Sequence, residues 1–208
     1  MLALATSLAL VCEFIPFLNL PFGGGFTVAS MLPVVIVSYM YGIRWGLFTS
    51  FAYSCIQVLM SLMLGKTVLA LFTPASDDYM GLGAAFAIII IDYLVAYTVL
   101  GLGGIFRGVI KNKTTAIVLG VVFALTLRYL CHIVSGYIFY GAWAERFFTQ
   151  DGFYAIGSKI LSTFSGKGLA LIYSIFYNGL FMIPEIVITA LAAVPVSVIK
   201  FVKTVKDQ

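Results

Sequence analysis

LRYLCHIVSGYIFYG, residues 127–141, sets charge inside a hydrophobic run. Arg128, His132, Gly136 and Tyr140 recur every four residues, and on a helix that spacing aligns them along one face. A cation, an imidazole, a gap and an aromatic ring therefore line one stripe of an otherwise apolar segment. A charge at the centre of a bilayer costs about 2.5–3.5 kcal/mol even on insertion scales. The stretch thus predicts a membrane-spanning helix whose polar stripe is met by groups from other segments.

The rest of the chain agrees with that setting. Of 208 residues, 62% are hydrophobic and 10% charged, and the mean hydropathy is +1.10. This is far more apolar than a soluble domain and predicts an all-α integral membrane protein in a lipid bilayer. Cys12, Cys55 and Cys131 are odd in number and lie in apolar runs, which argues for packing residues and against a disulfide framework or a thiolate metal site. No metal is expected. The net charge of +4 gathers in short loops and at the tail, a topology signal rather than a nucleic-acid surface. Residues 1–17 have no basic n-region before them and no clear small-residue cleavage site after them, so they read as a first span, not a secretory signal.

Apolar runs separated by Gly, Pro and charge give six expected spans in one domain, at about 2–17, 29–42, 45–64, 84–106, 115–141 and 168–199. The first carries small residues, Ala3, Ala5, Ser7 and Ala9, of the kind that let helices approach closely. Between the first two, NLPFGGGFTVAS (19–30) cannot continue a helix. It lacks the Lys-Ser/Thr of a phosphate loop. Residues 65–83, with Asp77 and Asp78, read as an exposed loop, and residues 142–167 as a polar connection. If the spans are six, Arg44, Arg107, Lys111, Lys113, Lys200, Lys203 and Lys206 share one side. The positive-inside rule then predicts cytoplasmic N and C termini, with the glycine loop outside.

In that topology Asp92 and His132 each lie roughly 12 Å below the outer end of their helices, so they can meet, with Tyr173 and Asn178 at comparable depth. A carboxylate, an imidazole, an amide and tyrosines suit a small cationic heteroaromatic ligand. Alternatively, Asp92 and Arg128 simply neutralise each other within the bundle. Glu185, deeper still, reads as an internal structural or gating residue.

GGGFTVASMLPV (23–34), RWG (44–46), IDYLVAY (91–97), the opening stretch and IYSIFYNGLFMIPE (172–185) closely resemble, in order and spacing, the thiamine-specific substrate-binding (S) components of energy-coupling factor transporters. The resemblance covers nearly all six spans. It implies a six-helix bundle holding thiamine near its extracellular side in a bacterial plasma membrane. It also implies a ligand site of Asp92, Tyr93, Arg128, His132, Gly136, Tyr140, Tyr173 and Asn178, covered by a loop with Gly23, Gly24 and Gly25. The partners it implies are a transmembrane coupling subunit, docked on Ala3, Ala5, Ser7 and Ala9, and two ABC ATPases that use the ATP. The chain itself would perform no chemistry and carry no cofactor, and it has no Walker motif. Some family members have Trp where Tyr140 stands, and a first-loop Trp that this chain lacks. Rival readings are an S component for a thiamine precursor or another small vitamin, an intramembrane acid–base enzyme using Asp92 and His132, and a proton or cation pathway through the same groups.

Overall fold

The computed structural model describes residues 1–15, 25, 27–64, 67–199 and 202, and every element in them is helical. Helix α1 (Leu2–Glu13) stops short of the expected residue 17, because Pro16 disfavours helical backbone at the residue before it. Helix α2 (Leu32–Tyr41) starts three residues later than expected, with Pro33 near its N-terminus. Ala29 just upstream has φ 57, outside the right-handed region. Gly42, at φ 89, makes the sharp turn into α3 (Ile43–Met63).

At 1.5 Å per residue, α1 with 12 residues and α2 with 10 are too short for a hydrocarbon core of about 30 Å. Among the described residues four helices are long and apolar enough: Ile43–Met63, Gly81–Gly104, Lys113–Phe139 and Gly166–Ser197. The chain is a membrane protein whose described residues hold these four spans and two shorter apolar helices.

The Gly81–Gly104 rod is not uniform. It runs as α5 (Gly81–Ile88), a π-helical segment (Ile89–Val95), α6 (Ala96–Thr98) and a 3-10 segment (Val99–Gly104). The long helix α7 (Lys113–Phe139) is capped by Asn112, whose side chain accepts from the Thr115 amide at 3.0 Å. Two stretches expected as loops hold helices: α4 (Thr67–Phe72) from the apolar TVLALF, and, in the connection before the last span, α8 (Ala144–Phe148) and α9 (Tyr154–Thr163). Helix α10 (Gly166–Ser197) contains Pro184 and Pro195.

Helices α7 and α10 run antiparallel over their whole length. Thr114 meets Ser197 at one end (Oγ–Oγ 2.7 Å). Towards the other, the Asn178 amide donates to the His132 carbonyl at 3.2 Å, and the Ser174 hydroxyl to that of Ile133 at 2.8 Å. Gly136 makes the approach possible, since a Cβ there would lie 2.2 Å from Ser174 Oγ. At the opposite end of the bundle backbone meets backbone. A Cβ on Gly120 would stand 2.0 Å from the Gly103 carbonyl oxygen, and one on Gly101 2.4 Å from the Leu47 nitrogen. Ser38 stitches α2 to the 3-10 segment, donating to Gly101 O (2.5 Å) and accepting from the Gly104 amide (2.9 Å).

Candidate functional site

Asp92 sits in the π-helical segment, where i→i+5 bonding widens the turn. Both its carboxylate oxygens are engaged: Oδ1 lies 2.8 Å from His132 Nδ1, and Oδ2 accepts from the Ser135 hydroxyl at 2.6 Å. The meeting of Asp92 and His132 expected from their depths is thus observed. Asp92 pairs with His132 rather than with Arg128. Ser135, three residues beyond His132, is a partner that the four-residue stripe did not include.

With Nδ1 turned to the carboxylate, His132 Nε2 is buried and has no hydrogen-bond partner among the described residues. An unsatisfied buried polar atom costs about 1–3 kcal/mol. In the tautomer that donates from Nδ1, this nitrogen is an acceptor waiting for an N–H. The ring also packs edge-on against Phe181 at 5.7 Å between centroids.

One turn away, Arg128 is 5% exposed. Its guanidinium lies 4.3 Å from the Tyr97 ring centroid, donates to the Tyr97 hydroxyl at 3.0 Å and contacts Met31 Sδ at 2.9 Å. Its Nε also has no partner among the described residues. Tyr93 stacks on Tyr97 (6.3 Å, 29°) and meets the Ser61 hydroxyl at 3.2 Å.

A second aromatic group lies along α10. Tyr173 stacks on Tyr177 (5.6 Å, 26°), and Phe147 from α8 packs against both. Tyr140 leans on Trp143 at 5.7 Å. Asp92, His132 and Ser135 therefore form one hydrogen-bonded group, and Arg128 and Tyr93 meet at Tyr97 in a second, one turn along α7. Asn178 supports the His132 backbone, Gly136 is spent on the α7–α10 contact, and Tyr140 and Tyr173 belong to the aromatic group. Phe147, Trp143 and Ser135 were missed from the sequence. The first two lie in a stretch read as a polar connection, and a serine next to a histidine in an apolar run carries no signal of its own.

The expected lid and docking residues fare unequally. Gly23 and Gly24 lie outside the described residues, and Gly25 is half-buried at their edge. On α1, Ala5 and Ala9 are buried in the chain's own core, whereas Ala3 and Ser7 are exposed. The four residues thus divide between two faces, and only Ala3 and Ser7 are available to a partner.

The family described as Thiamine transporter protein (Thia_YuaJ) matches residues 1–149. The chain belongs to that family. A curated relative, the thiamine transporter ThiT of Bacillus subtilis (strain 168), is 23% identical over 201 residues, covering 91% of this chain and 84% of the relative. A solved structure of ThiT from Listeria monocytogenes matches with a TM-score of 0.55 at 20% identity, over 94% of this chain and 91% of that one. At that identity the likeness is one of fold. Members of the family are transporters rather than enzymes, so the acid–base reading of Asp92 and His132 gives way to one of recognition.

Proposed function

We propose that this member of the thiamine transporter family is the high-affinity thiamine-binding S component of an energy-coupling factor importer in a bacterial plasma membrane. The observation that carries the reading is the Asp92–His132–Ser135 group, with its buried, unpartnered imidazole nitrogen. Thiamine offers an aminopyrimidine N–H to such an acceptor and a thiazolium cation to carboxylate and aromatic faces. The tyrosines at 93, 97, 140, 173 and 177, with Trp143, supply those faces. The chain uses no cofactor. ATP is consumed by two ATPases acting through a coupling subunit.

In this reading six segments lie in the membrane, the four long helices crossing it and the shorter α1 and α2 completing the bundle. The end bearing Arg44, Arg107, Lys111 and Lys113 faces the cytoplasm with both termini, and the glycine loop lies outside. The coupling subunit docks on the exposed side of α1, at Ala3 and Ser7.

Calorimetry of the purified protein with thiamine tests the ligand, with a thiamine precursor and other small vitamins as competitors. Saturable thiamine binding in a 1:1 ratio is expected, and preference for another vitamin would replace the ligand assignment. For the partner face, Ser7→Trp should leave thiamine binding intact and abolish uptake in cells that carry the coupling module. Uptake that survives Ser7→Trp and Ala3→Trp would move the docking face elsewhere.

A further inference from the structure

Glu185 follows Pro184 in α10 and is 1% exposed. Its carboxylate accepts from the Thr27 amide, from the Thr27 hydroxyl (3.0 Å to Oε1 and 3.2 Å to Oε2) and from the Thr189 hydroxyl (3.2 Å). Thr27 lies in the non-helical stretch that leads into α2, while Glu185 stands well inside the longest helix. The carboxylate therefore holds irregular backbone at membrane depth. Such backbone is tolerated there only when its polar groups are satisfied by protein or by a water-filled cavity.

The contact does not end at Thr27. Because the Thr27 hydroxyl donates to Glu185, the 2.5 Å contact between Thr27 and Ser30 has Ser30 as donor. Ser30 in turn accepts from the Tyr53 hydroxyl (3.3 Å), and Tyr53 accepts from Gln57 Nε2 (3.1 Å). Gln57 Nε2 also reaches the Tyr97 hydroxyl at 3.5 Å, which accepts from Arg128 at 3.0 Å. A buried guanidinium and a buried carboxylate thus form the two ends of one chain, and the hydroxyls of Tyr53, Ser30 and Thr27 all point their protons towards Glu185. Ser30, Tyr53 and Thr189 are fully buried. Among the described residues neither end has a direct ion-pair partner.

We propose that Glu185 is a positioning residue, the deep anchor of the segment that leads into α2. The chain from it through Gln57 and Tyr97 couples the seating of that segment to the guanidinium of Arg128. From Gln57 through Tyr53, Ser30 and Thr27 each group donates to the next towards Glu185, and such a series in a low-dielectric interior is mutually polarised, so loss of one link weakens the others. Occupancy of the site beside Arg128 is then felt at Thr27. The anchor is independent of the thiamine reading, and only the ligand arm of its test rests on it.

The test is hydrogen–deuterium exchange of the full chain in lipid nanodiscs, read at amides 27–34 with 113–125 as the internal control. Without ligand, Glu185→Gln and the near-isosteric Thr27→Val should each speed exchange at 27–34 by about tenfold through local opening, with the control unchanged. Gln57→Leu should speed it by about threefold, although Gln57 bonds no residue of the segment directly. Unchanged exchange in both Glu185→Gln and Thr27→Val overturns the anchor, as does a uniform rise that includes the control. A rise in those two but none in Gln57→Leu overturns the coupling. If Glu185→Gln does not fold, Thr27→Val alone decides the anchor. In the ligand arm, thiamine should slow exchange at 27–34 in the wild type and lose that effect in Gln57→Leu. Failure of thiamine to bind the wild type would refute the proposed ligand, while the ligand-free series still decides the anchor and its coupling.

Discussion

The two ends of the α7–α10 bundle are packed on opposite principles. Around Gly120, contact is made by backbone: Gly103, Gly101 and Gly46 leave no room for a Cβ, and the Ser38 hydroxyl is bonded twice. Around Asp92, contact is made by side chains with capacity to spare, since His132 Nε2 and Arg128 Nε have no partners among the described residues. The first end is a scaffold whose sequence is dictated by distance. The second is a site whose sequence is dictated by chemistry. Mutations at the two ends should therefore separate stability from recognition.

The largest expected effect is at the scaffold end. Gly120→Leu places carbon where the Gly103 carbonyl stands and should destabilise the fold by about 3 kcal/mol or more, as overpacking of a close contact does. Thermal unfolding in detergent would measure it, and an unshifted midpoint would erase the distinction between the two ends. Next comes Asp92→Asn, which removes the charge from the pair with His132. It should weaken thiamine binding at least tenfold, about 1.5–3 kcal/mol, with much less change in the unfolding midpoint. Calorimetry suits this better than tryptophan fluorescence, because Trp45 and Trp143 are the chain's two tryptophans. The smallest effect is that of Ser135→Ala, which deletes one hydrogen bond to Asp92 Oδ2 and should cost about 1 kcal/mol, or several-fold in the dissociation constant. A Ser135→Ala loss as large as that of Asp92→Asn would mean that the serine contacts the ligand itself.

Legibility in the sequence divides along the same line. The four-residue stripe in 127–141 and the lone acid in 91–97 were enough to bring Asp92 and His132 together, because an ionisable group in a long apolar run has few places to go. Span lengths were less legible. Pro16 and Ala29 shorten the first two helices by steric effects that hydropathy does not register, and TVLALF formed α4 in a stretch read by its Pro, Gly and Asp content. The small residues of α1 showed the converse problem. Ala3, Ala5, Ser7 and Ala9 look alike in a list, but Ala5 and Ala9 turn inward. Which face of a short apolar helix meets its own bundle depends on the neighbours, so composition alone cannot assign it. The departure at Tyr140, where some relatives have Trp, left the aromatic surface undecided. The fold brings Trp143 beside it from a stretch read as merely polar.

The π-helical segment, Ile89–Val95, has a consequence for phase. Successive residues of an α-helix advance by about 100° around the axis, and a wide turn takes up one residue beyond that rhythm. Asp92 lies in this under-wound segment and Gly101, Gly103 and Gly104 lie in the over-wound 3-10 segment beyond it, so two opposite departures from the α rhythm separate the carboxylate from the glycine face. Deleting a single residue within Ile89–Val95 would remove the residue that the wide turn takes up, and the span, relaxed to a regular α-helix, would keep its two ends in phase. The wide turn that carries Asp92 would be lost, with the composition of the span almost untouched.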